Sequence, residues 1–399
     1  MKIAVIGVKG IPAKQGGIEY YAQELYQLIA SKGHTVDLYA RSNYTQVESF
    51  SSYQYKGIKV ISLPSIITES FDALFNSFLA TFISTIIQYD VIHFHALGPS
   101  LFCWLPRLFS SAKVVATCHG LDWQRAKWSK LAKSIIYSGE RSAIAYAHDV
   151  IVVSEDLQTY FQNEYGIETT YIPTAPAKYA DSNPTSAYLD SLGLVTGRYI
   201  LFLGRLVPEK RPDLLLEAFQ LLHPSDWKLV LVGDSSGNSH YKKELLKHKN
   251  EKILFTNTLT GNLLAEIVRN AGLFVLPSDL EGLPLGMLEA MREGVPVIAS
   301  DIPSHCQLIG EDRGLLFQAG NLQSLVSQLE KFLSQPEAFH CYAQKAKEYV
   351  NANHSWEEIS KQNLTLYTKP NHLLTNANQK SDNSNRDPES IVVTKNKKK

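Results

Sequence analysis

Short apolar runs alternate with amphipathic segments along most of the chain. Six runs of strand length occupy the first half: KIAVIG, TVDLYA, IKVIS, DVIHFH, KVVATC and DVIVVS. Five more follow in the second half: YILFLG, KLVLVG, KILFT, LFVLP and VPVIAS. The segments between them repeat apolar positions with a period near 3.6, as in YYAQELYQLIASKG, where Gly33 marks a helix end. This alternation predicts parallel sheets joined by crossover helices, with strands buried on both faces.

A polar segment at residues 177–198 interrupts the alternation. It reads AKYADSNPTSAYLDSLGLVTGR, contains Pro184 and two glycines, and precedes a new strand. A chain of 399 residues is also longer than one hydrophobic core usually serves. The sequence therefore predicts an α/β protein with two Rossmann-like domains of nearly equal size, over residues 1–180 and 181–368, facing each other across a cleft.

The last residues differ in composition from the rest of the chain. Residues 369–399 contain no aromatic side chain and are rich in Asn, Ser and Lys, so we expect a disordered tail. The helix before this tail can pack back on the first domain. The terminal KNKKK is compatible with a solvated tail and with a contact to anionic lipid.

The remaining bulk features narrow the class of protein. The 39 basic and 39 acidic residues balance, which argues against broad nucleic-acid binding. The four cysteines form no CxxC pair, so we expect free thiols in a reducing compartment. MKIAVIG is too short an apolar run for a signal peptide, which favours a cytoplasmic protein. The longest apolar region, 71–89, is interrupted by Asp72 and Asn76, and we interpret it as a buried helix and not a membrane span.

The turn after the first strand, GVKGIPAKQGGIEYYAQEL, does not match the GxGxxG pattern, which weakens a dehydrogenase interpretation. Gly16 and Gly17 stand at the start of the next helix. Bare N–H groups there can approach a phosphate, although a plain tight turn explains the same pair. In open α/β sheets ligands bind at the carboxyl ends of strands, so the corresponding turns of the second half are the next candidates.

Two turns in the second half carry charged groups suited to a nucleotide sugar. Arg205 and Lys210, in LFLGRLVPEKRPDLLLEAF, can neutralise a diphosphate, and an exposed basic loop is the alternative. EGLPLGMLE places Glu281 and Glu289 about two helical turns apart. Between them the segment that includes Gly282, Leu283 and Leu285 exposes backbone N–H groups at a helix start, where an anion is stabilised. One carboxylate can bind a hexose and the other a ribose, whereas a capped helix with an exposed Glu pair remains the structural alternative.

Together these segments resemble the retaining glycosyltransferases of GT-B fold, glycosyltransferase family 4. GRLVPEKRPDLLLEAF is similar to the diphosphate loop of that family, and EGLPLGMLE to its E-x7-E motif. GIPAKQGGIEYYAQEL and TCHGLDWQRAKWSK resemble more specifically a bacterial polysaccharide subgroup that includes rhamnosyltransferases. The resemblance spans roughly residues 1–368 and implies transfer of a sugar from a nucleotide-diphosphate sugar, with retention of anomeric configuration, to a saccharide or lipid-linked acceptor.

The resemblance also implies roles for individual residues. The donor side would be formed by Gly16, Gly17, Arg205, Lys210, Gly282, Leu283, Leu285 and Glu289. Glu281 would contact the donor sugar's hydroxyls, and His119 would lie near the reacting centre. Asp122 can orient the acceptor hydroxyl or cap a helix. The family does not need a metal, no DxD-like triplet occurs in a suitable loop, and no cofactor is expected. In the front-face route proposed for the family, a leaving phosphate oxygen helps to deprotonate the acceptor.

Two positions depart from the family's pattern. Thr174 and Ala175, in YIPTAP, stand where the family usually has Asn-Gly. Asn257, in LFTNTLT, stands where glycine is common, and asparagine tolerates left-handed geometry.

Residues 123–137 interleave Trp123, Trp128 and Tyr137 with basic side chains. This pattern is compatible with peripheral contact to the inner face of an anionic membrane and with a solvated helix whose aromatics lie in the core.

Two other functions remain alternatives to transfer: a nucleotide-sugar epimerase of the same fold, and a non-catalytic nucleotide-sugar-binding subunit. Neither the donor's base and sugar nor the acceptor has a side-chain signature in the sequence.

Overall fold

The computed structural model describes residues 1–13, 16–66, 69–125, 128–177, 179, 187–235 and 240–370. Within these ranges the strands of the first half form one sheet of eight, in the order β3-β4-β2-β1-β5-β6-β7-β8. Their bounds are β1 (Lys2–Ile6), β2 (Thr35–Arg41), β3 (Ser52–Tyr55), β4 (Ile58–Leu63), β5 (Val91–His95), β6 (Lys113–Cys118), β7 (Asp149–Val152) and β8 (Thr170–Tyr171). Neighbouring strands are parallel, except that β3 runs antiparallel to β4.

The described strands of the second half form a parallel sheet of six, in the order β11-β10-β9-β12-β13-β14. Their bounds are β9 (Tyr199–Leu203), β10 (Lys228–Val232), β11 (Ile253–Phe255), β12 (Leu273–Leu276), β13 (Val297–Ser300) and β14 (Leu315–Phe317). The central strands of both sheets are buried on both faces, as their unbroken apolar runs predicted. The predicted class, two Rossmann-like α/β domains, is confirmed.

Helices cover both sheets. Those of the first half are α1 (Gly17–Ser31), α2 (Glu69–Ile86), α3 (Trp104–Phe109), α4 (Lys130–Tyr146) and α5 (Glu155–Tyr165). Those that follow are α6 (Ala187–Ser191), α7 (Pro212–Leu222), α8 (His240–Leu246), α9 (Gly261–Arg269), α10 (Leu285–Glu293), α11 (Pro303–Ile309), α12 (Leu322–Ser334), α13 (His340–Asn353) and α14 (Trp356–Thr368). Helix α13 packs on α10 of the second domain, whereas α14 packs on α1 of the first.

The return of α14 to the first domain rests on specific contacts. Trp356 and Tyr367 lie in the same apolar core as the residues of α1. The Lys32 ammonium donates to Ser360 Oγ (2.6 Å), and the buried Lys113 ammonium donates to the carbonyl oxygen of Leu366 (2.5 Å). The predicted boundary around residue 180 and almost all of the predicted tail lie outside the described residues.

Three strands were not predicted. β3 has no apolar run, and it forms a hairpin with β4 through Lys56 and Gly57, which both have positive φ (46° and 83°). β8 and β14 have only two and three residues. Asn257 adopts φ 57°, so the left-handed turn expected at that position is present.

The interpretation of residues 71–89 as a buried helix is wrong for one of its faces. Phe71 and Ile86 of α2 are 60% and 69% exposed, whereas the side of α2 that faces the sheet is lined largely by polar residues. Asp72 on that inner side accepts from the backbone N–H of Ile66 (2.9 Å) and pairs with Arg41 (3.7 Å). Among the described residues, no helix combines the length and the apolar character needed to cross a bilayer.

Candidate functional site

Each sheet reverses its strand order beside its first strand. β1 lies between β2 and β5, and β9 lies between β10 and β12. In open α/β sheets the crevice at the carboxyl ends of such strands is where ligands bind. Arg205 follows β9 and Glu281 follows β12, so both lie at the switch point of the second sheet. His119 follows β6 of the first sheet, two strands from β1.

The two domains meet at the backbone of this site. A Cβ placed on Gly282 would lie only 2.0 Å from the carbonyl oxygen of His119, and one on Gly120 would lie 3.6 Å from the Cα of Gly282. Gly17, at the start of α1, allows a similar approach, because its missing Cβ would lie 3.1 Å from Leu285 of α10. Leu283 packs against the apolar cores of both domains. Glycine at positions 17 and 282 therefore lets the carboxyl edges of the two sheets close on each other.

The ammonium of Lys210 pairs with the Glu281 carboxylate, which also accepts from Ser278 Oγ (2.8 Å). Burial alone would raise the pKa of Glu281, but the charge of Lys210 and these hydrogen bonds hold it below its ordinary value. Glu281 is therefore a carboxylate at neutral pH. It can accept hydrogen bonds and does not supply a proton.

Three cations line the pocket between the domains: Arg125, Arg205 and Lys210. Arg205 lies 3.7 Å from the Glu209 carboxylate, and Arg125 pairs with Asp122 (2.9 Å). Burial, followed by the charge of Arg125, lowers the pKa of Arg205. The guanidinium groups of Arg125 and Arg205 thus repel each other in a partly desolvated pocket. A bound anion would reduce this repulsion.

Behind the pocket, His119 belongs to a buried chain of hydrogen-bonding groups. His119 Nε2 lies 3.1 Å from His95 Nδ1, and His95 Nε2 lies 2.7 Å from the Tyr26 hydroxyl. The same hydroxyl lies 2.8 Å from His93 Nδ1, which is 2.6 Å from the hydroxyl of Tyr367 on α14. The ring of Tyr21 packs edge-on against His119 with centroids 4.9 Å apart.

Burial keeps the three histidines of this chain neutral. It lowers the pKa of His119 to about 4, that of His93 to about 3, and that of His95 well below its ordinary value. In a neutral imidazole one nitrogen donates and the other accepts, so the tautomer of each ring constrains its neighbour. His119 therefore offers the cleft an uncharged hydrogen-bonding group whose tautomer is coupled to Tyr26.

Glu289 does not share this pocket. It is 7% exposed on α10, and its Oε2 accepts from the Tyr179 hydroxyl (3.0 Å). Burial raises the pKa of Glu289 to about 7, although Tyr179 and Arg292 oppose the rise. The Tyr179 hydroxyl thus occupies a hydrogen-bonding position at Oε2 that a ribose hydroxyl would otherwise take.

The Glu19 carboxylate lies against the glycine that precedes α1. Gly16 has φ 102°, and a Cβ there would lie 2.0 Å from a carboxylate oxygen of Glu19. That carboxylate also accepts from the backbone N–H of Lys9 (3.3 Å). The glycine at 16 thus has a local explanation beside the predicted approach to a phosphate.

The structure adds residues that the sequence analysis did not select. Arg125 belongs to the segment 123–137, for which membrane contact and a solvated helix were both left open, and it lines the pocket. Glu209, also in the lining, was passed over within its motif. His305 is buried behind Glu281, and its Nδ1 lies 3.1 Å from Ser300 Oγ. His305 follows β13, whereas Glu281 lies in the turn after β12, and no spacing in the sequence indicates that the two come close together. Only the parallel pairing of these two strands brings them together.

Membrane contact through the aromatic side chains of residues 123–137 would need exposed rings, and the structure shows none among the residues it describes there. Trp123 is buried and donates from Nε1 to Glu140 (2.9 Å), while Tyr137 packs edge-on against it. Trp128 is half-buried at the edge of the same apolar cluster. Over the described residues, no group of three His, Cys, Asp or Glu side chains is arranged to hold a metal ion.

Sequence and structure comparisons agree with this architecture. Residues 15–175 match the family model described as Glycosyltransferase Family 4, and residues 190–349 match that of Glycosyl transferases group 1. The D-inositol 3-phosphate glycosyltransferase of Rhodococcus erythropolis is 25% identical, over 96% of this chain and 95% of its own.

Two solved structures share the fold. Sucrose-phosphate synthase of Thermosynechococcus elongatus superposes with a TM-score of 0.79 at 23% identity, covering 92% of this chain and 98% of its own. Anabaena HepE in complex with UDP-glucose gives 0.75 at 19% identity, covering 92% and 100%. With one family model matched in each half and the two switch points facing each other, the chain belongs to the glycosyltransferases of GT-B fold, with a family 4 domain followed by a group 1 domain.

Proposed function

We propose that this chain transfers a sugar from a nucleotide-diphosphate sugar to a saccharide or lipid-linked acceptor, with retention of anomeric configuration. The observation that carries the proposal is the convergence of Arg125, Arg205 and Lys210 beside the carboxylate of Glu281 at the domain junction. Cations in a partly desolvated pocket suit a diphosphate, and a carboxylate beside them suits sugar hydroxyls. HepE, which shares the fold, has been crystallised with UDP-glucose.

Within this proposal each residue has a defined part. Arg205 and Lys210 neutralise the diphosphate, and Arg125 adds a third cation from the first domain. Glu281 accepts from the hydroxyls of the donor sugar, and the backbone N–H groups near Gly282 and Leu283 face the phosphate. The other expected contacts are Gly16 and Gly17 towards the phosphate, Leu285 at the helix start, Glu289 towards the ribose and Asp122 towards the acceptor.

The transfer step needs no charged acid from the protein. The bond between the sugar's anomeric carbon and the phosphate oxygen breaks while the acceptor oxygen bonds to the same face. The acceptor's proton passes to the leaving phosphate oxygen, whose charge the cations stabilise. His119, uncharged at neutral pH, hydrogen-bonds the sugar and does not compete with the cations for the diphosphate.

The motif resemblance of the first half supports a role in cell-surface polysaccharide biosynthesis, with rhamnose as the first sugar to test. The purified chain is incubated with UDP-, dTDP-, GDP- and ADP-sugars and an oligosaccharide acceptor, and the released nucleoside diphosphate and the product anomer are measured. Release of one diphosphate with a retained anomer is expected. An inverted product would overturn retention, and conversion of the donor without acceptor would identify an epimerase. Binding without turnover would indicate a non-catalytic subunit.

A further inference from the structure

Helix α2 carries its apolar and polar faces in the reverse of the usual arrangement. Its buried side is largely polar, with the side chains of Asp72, Asn76, Ser77, Thr81 and Ser84. From Phe71 onward, where the side chains of the helix are described, its exposed residues are all apolar: Phe71 (60% exposed), Phe75 (40%), Phe78 (44%), Phe82 (48%) and Ile86 (69%). Spacings of three and four residues put these five side chains on one stripe. A helix that meets water on its outer side normally shows the opposite pattern.

The stripe continues onto the neighbouring helix. The ring of Phe78 packs edge-on against Phe102, in the turn that leads into α3, with centroids 5.6 Å apart. On α3, Trp104, Leu108 and Phe109 are 37%, 62% and 67% exposed. We call these eight exposed residues of α2 and α3 the α2–α3 apolar face. A contiguous apolar surface of this kind marks an interaction site.

Acidic residues are scarce in the part of the chain that forms the face. Between residues 73 and 121 the sequence contains a single acid, Asp90, and it accepts from the backbone N–H of Lys2 (2.6 Å). Helix α4 borders the face, because Ser142 Oγ donates to the carbonyl oxygen of Leu101, next to Phe102. The outer side of α4 exposes Lys130 and Arg141, and the acid of that helix, Glu140, is buried.

We propose that the α2–α3 apolar face inserts into the interfacial region of an anionic lipid bilayer, with Lys130 and Arg141 against the headgroups. Aromatic side chains on one stripe, bordered by cations, match the requirements of a helix that lies in the membrane surface. A second copy of the chain is a poorer occupant, since a two-fold dimer through this face would bring the like charges of the two Arg141 side chains towards each other. The face lies outside the pocket, so this inference does not depend on the transfer reaction.

Vesicle flotation of the full-length protein tests the proposal. Vesicles contain phosphatidylcholine alone or with about 30% phosphatidylglycerol. The wild type is expected to float with the anionic vesicles. Replacing Phe75, Phe78 and Phe82 together by Ser is expected to lower the bound fraction at least about tenfold, because the inserted rings are lost. The matched control replaces the exposed Leu221, Leu246 and Leu263 of the second domain by Ser and keeps wild-type binding.

Two further variants separate the sources of charge. Reversal of Lys130 and Arg141 to Glu is expected to weaken binding to anionic vesicles and leave the weak binding to neutral ones unchanged. Replacing Lys395, Lys397, Lys398 and Lys399 of the tail by Gln is expected to leave most of the binding intact. The proposal is overturned if the folded triple Phe variant floats like the wild type, if the tail variant alone abolishes binding, or if light scattering shows a dimer that the Phe variant dissolves while no form binds vesicles.

Discussion

The carbonyl oxygen of His119 and the Cα of Gly282 approach so closely across the domain junction that no side chain fits between them. This contact joins the strand end of the family 4 domain to the turn that carries Glu281. We expect Gly282→Ala to hold the domains apart and to lower kcat/KM at least about tenfold, since small displacements of reacting groups are costly. Steady-state kinetics measures the loss.

The control for that variant is Gly98→Ala in the first domain. Gly98 has φ −58° and no atom within 4 Å of the added Cβ. It should keep wild-type kinetics and melting temperature. Wild-type kinetics for Gly282→Ala would show that the close approach has no part in turnover.

The ion pair of Lys210 and Glu281 links activity to stability. Removing either partner leaves a largely buried charge alone, so we expect Glu281→Gln and Lys210→Met each to cost about 1–3 kcal/mol of unfolding free energy and most of the turnover. The double variant should recover part of the stability and none of the activity. Urea denaturation of the four proteins measures the coupling, and additive losses would contradict it.

The pH dependence of this pair has a definite sign. Because the pKa of Glu281 is lower in the folded protein than its ordinary value, the pair stabilises the fold above that ordinary value. Its contribution is lost only as the pH falls through the lowered pKa. The stability difference between wild type and Glu281→Gln should therefore stay constant from about pH 8 to about pH 5 and shrink in more acidic solution.

Ionisation of Glu289 should affect the stability of the fold in the opposite direction to ionisation of Glu281. The pKa of Glu289 is raised to about 7 by burial, so its charged form destabilises the fold. The wild type should lose of order 3 kcal/mol relative to Glu289→Gln as the pH rises from the ordinary carboxyl range, near 4.3, to about 7. Denaturant unfolding across this range tests the prediction. Glu330→Gln, at an exposed position of α12, is the control and should follow the wild type.

If the ionised form of Glu289 holds the ribose, donor affinity should rise with pH through about 7 in the wild type. Calorimetric titration with the preferred nucleoside diphosphate at several pH values measures this. The Glu289→Gln variant should bind more weakly and show no such rise. A rise that persists in the variant would assign it to another group.

The hydroxyl of Tyr26 should control the tautomer of His119. It lies between His93 and His95 and can donate its proton to only one of them. Tyr26→Phe is expected to shift the ring nitrogen resonances of His119 in ¹⁵N-correlated NMR and to lower kcat more than it changes KM. Tyr39→Phe, which also removes a buried hydroxyl from this domain, is the control and should change neither.

Much of this architecture could be predicted from the apolar pattern, for a physical reason. Parallel strands buried on both faces must be continuously apolar, and the eleven predicted runs all contain strands. β3 could not be found this way, because an edge strand with one exposed face needs no such run. The exposed Phe stripe of α2 was misread because apolar content alone does not show which face meets the sheet.

The candidate site was predictable where its chemistry is local in sequence. Arg205, Lys210, Glu281 and Gly282 come from two turns, and the structure brings them together. Arg125 could not be placed, since its position depends on how the two domains meet. The cover that Tyr179 forms over Glu289 likewise depends on the path of the connecting segment.

The last described residues before the connection to the second domain contact the segment that returns the chain to the first domain. His354 Nδ1, just before α14, donates to the carbonyl oxygen of Thr174 (2.7 Å), and Trp356 Nε1 donates to that of Pro176 (3.0 Å). The described residues that flank the two connections therefore lie side by side. Contacts this close together restrain sliding of one domain on the other, so we expect the domains to open mainly by rotation about this region. Admission of the donor and release of the product would then require the same rotation.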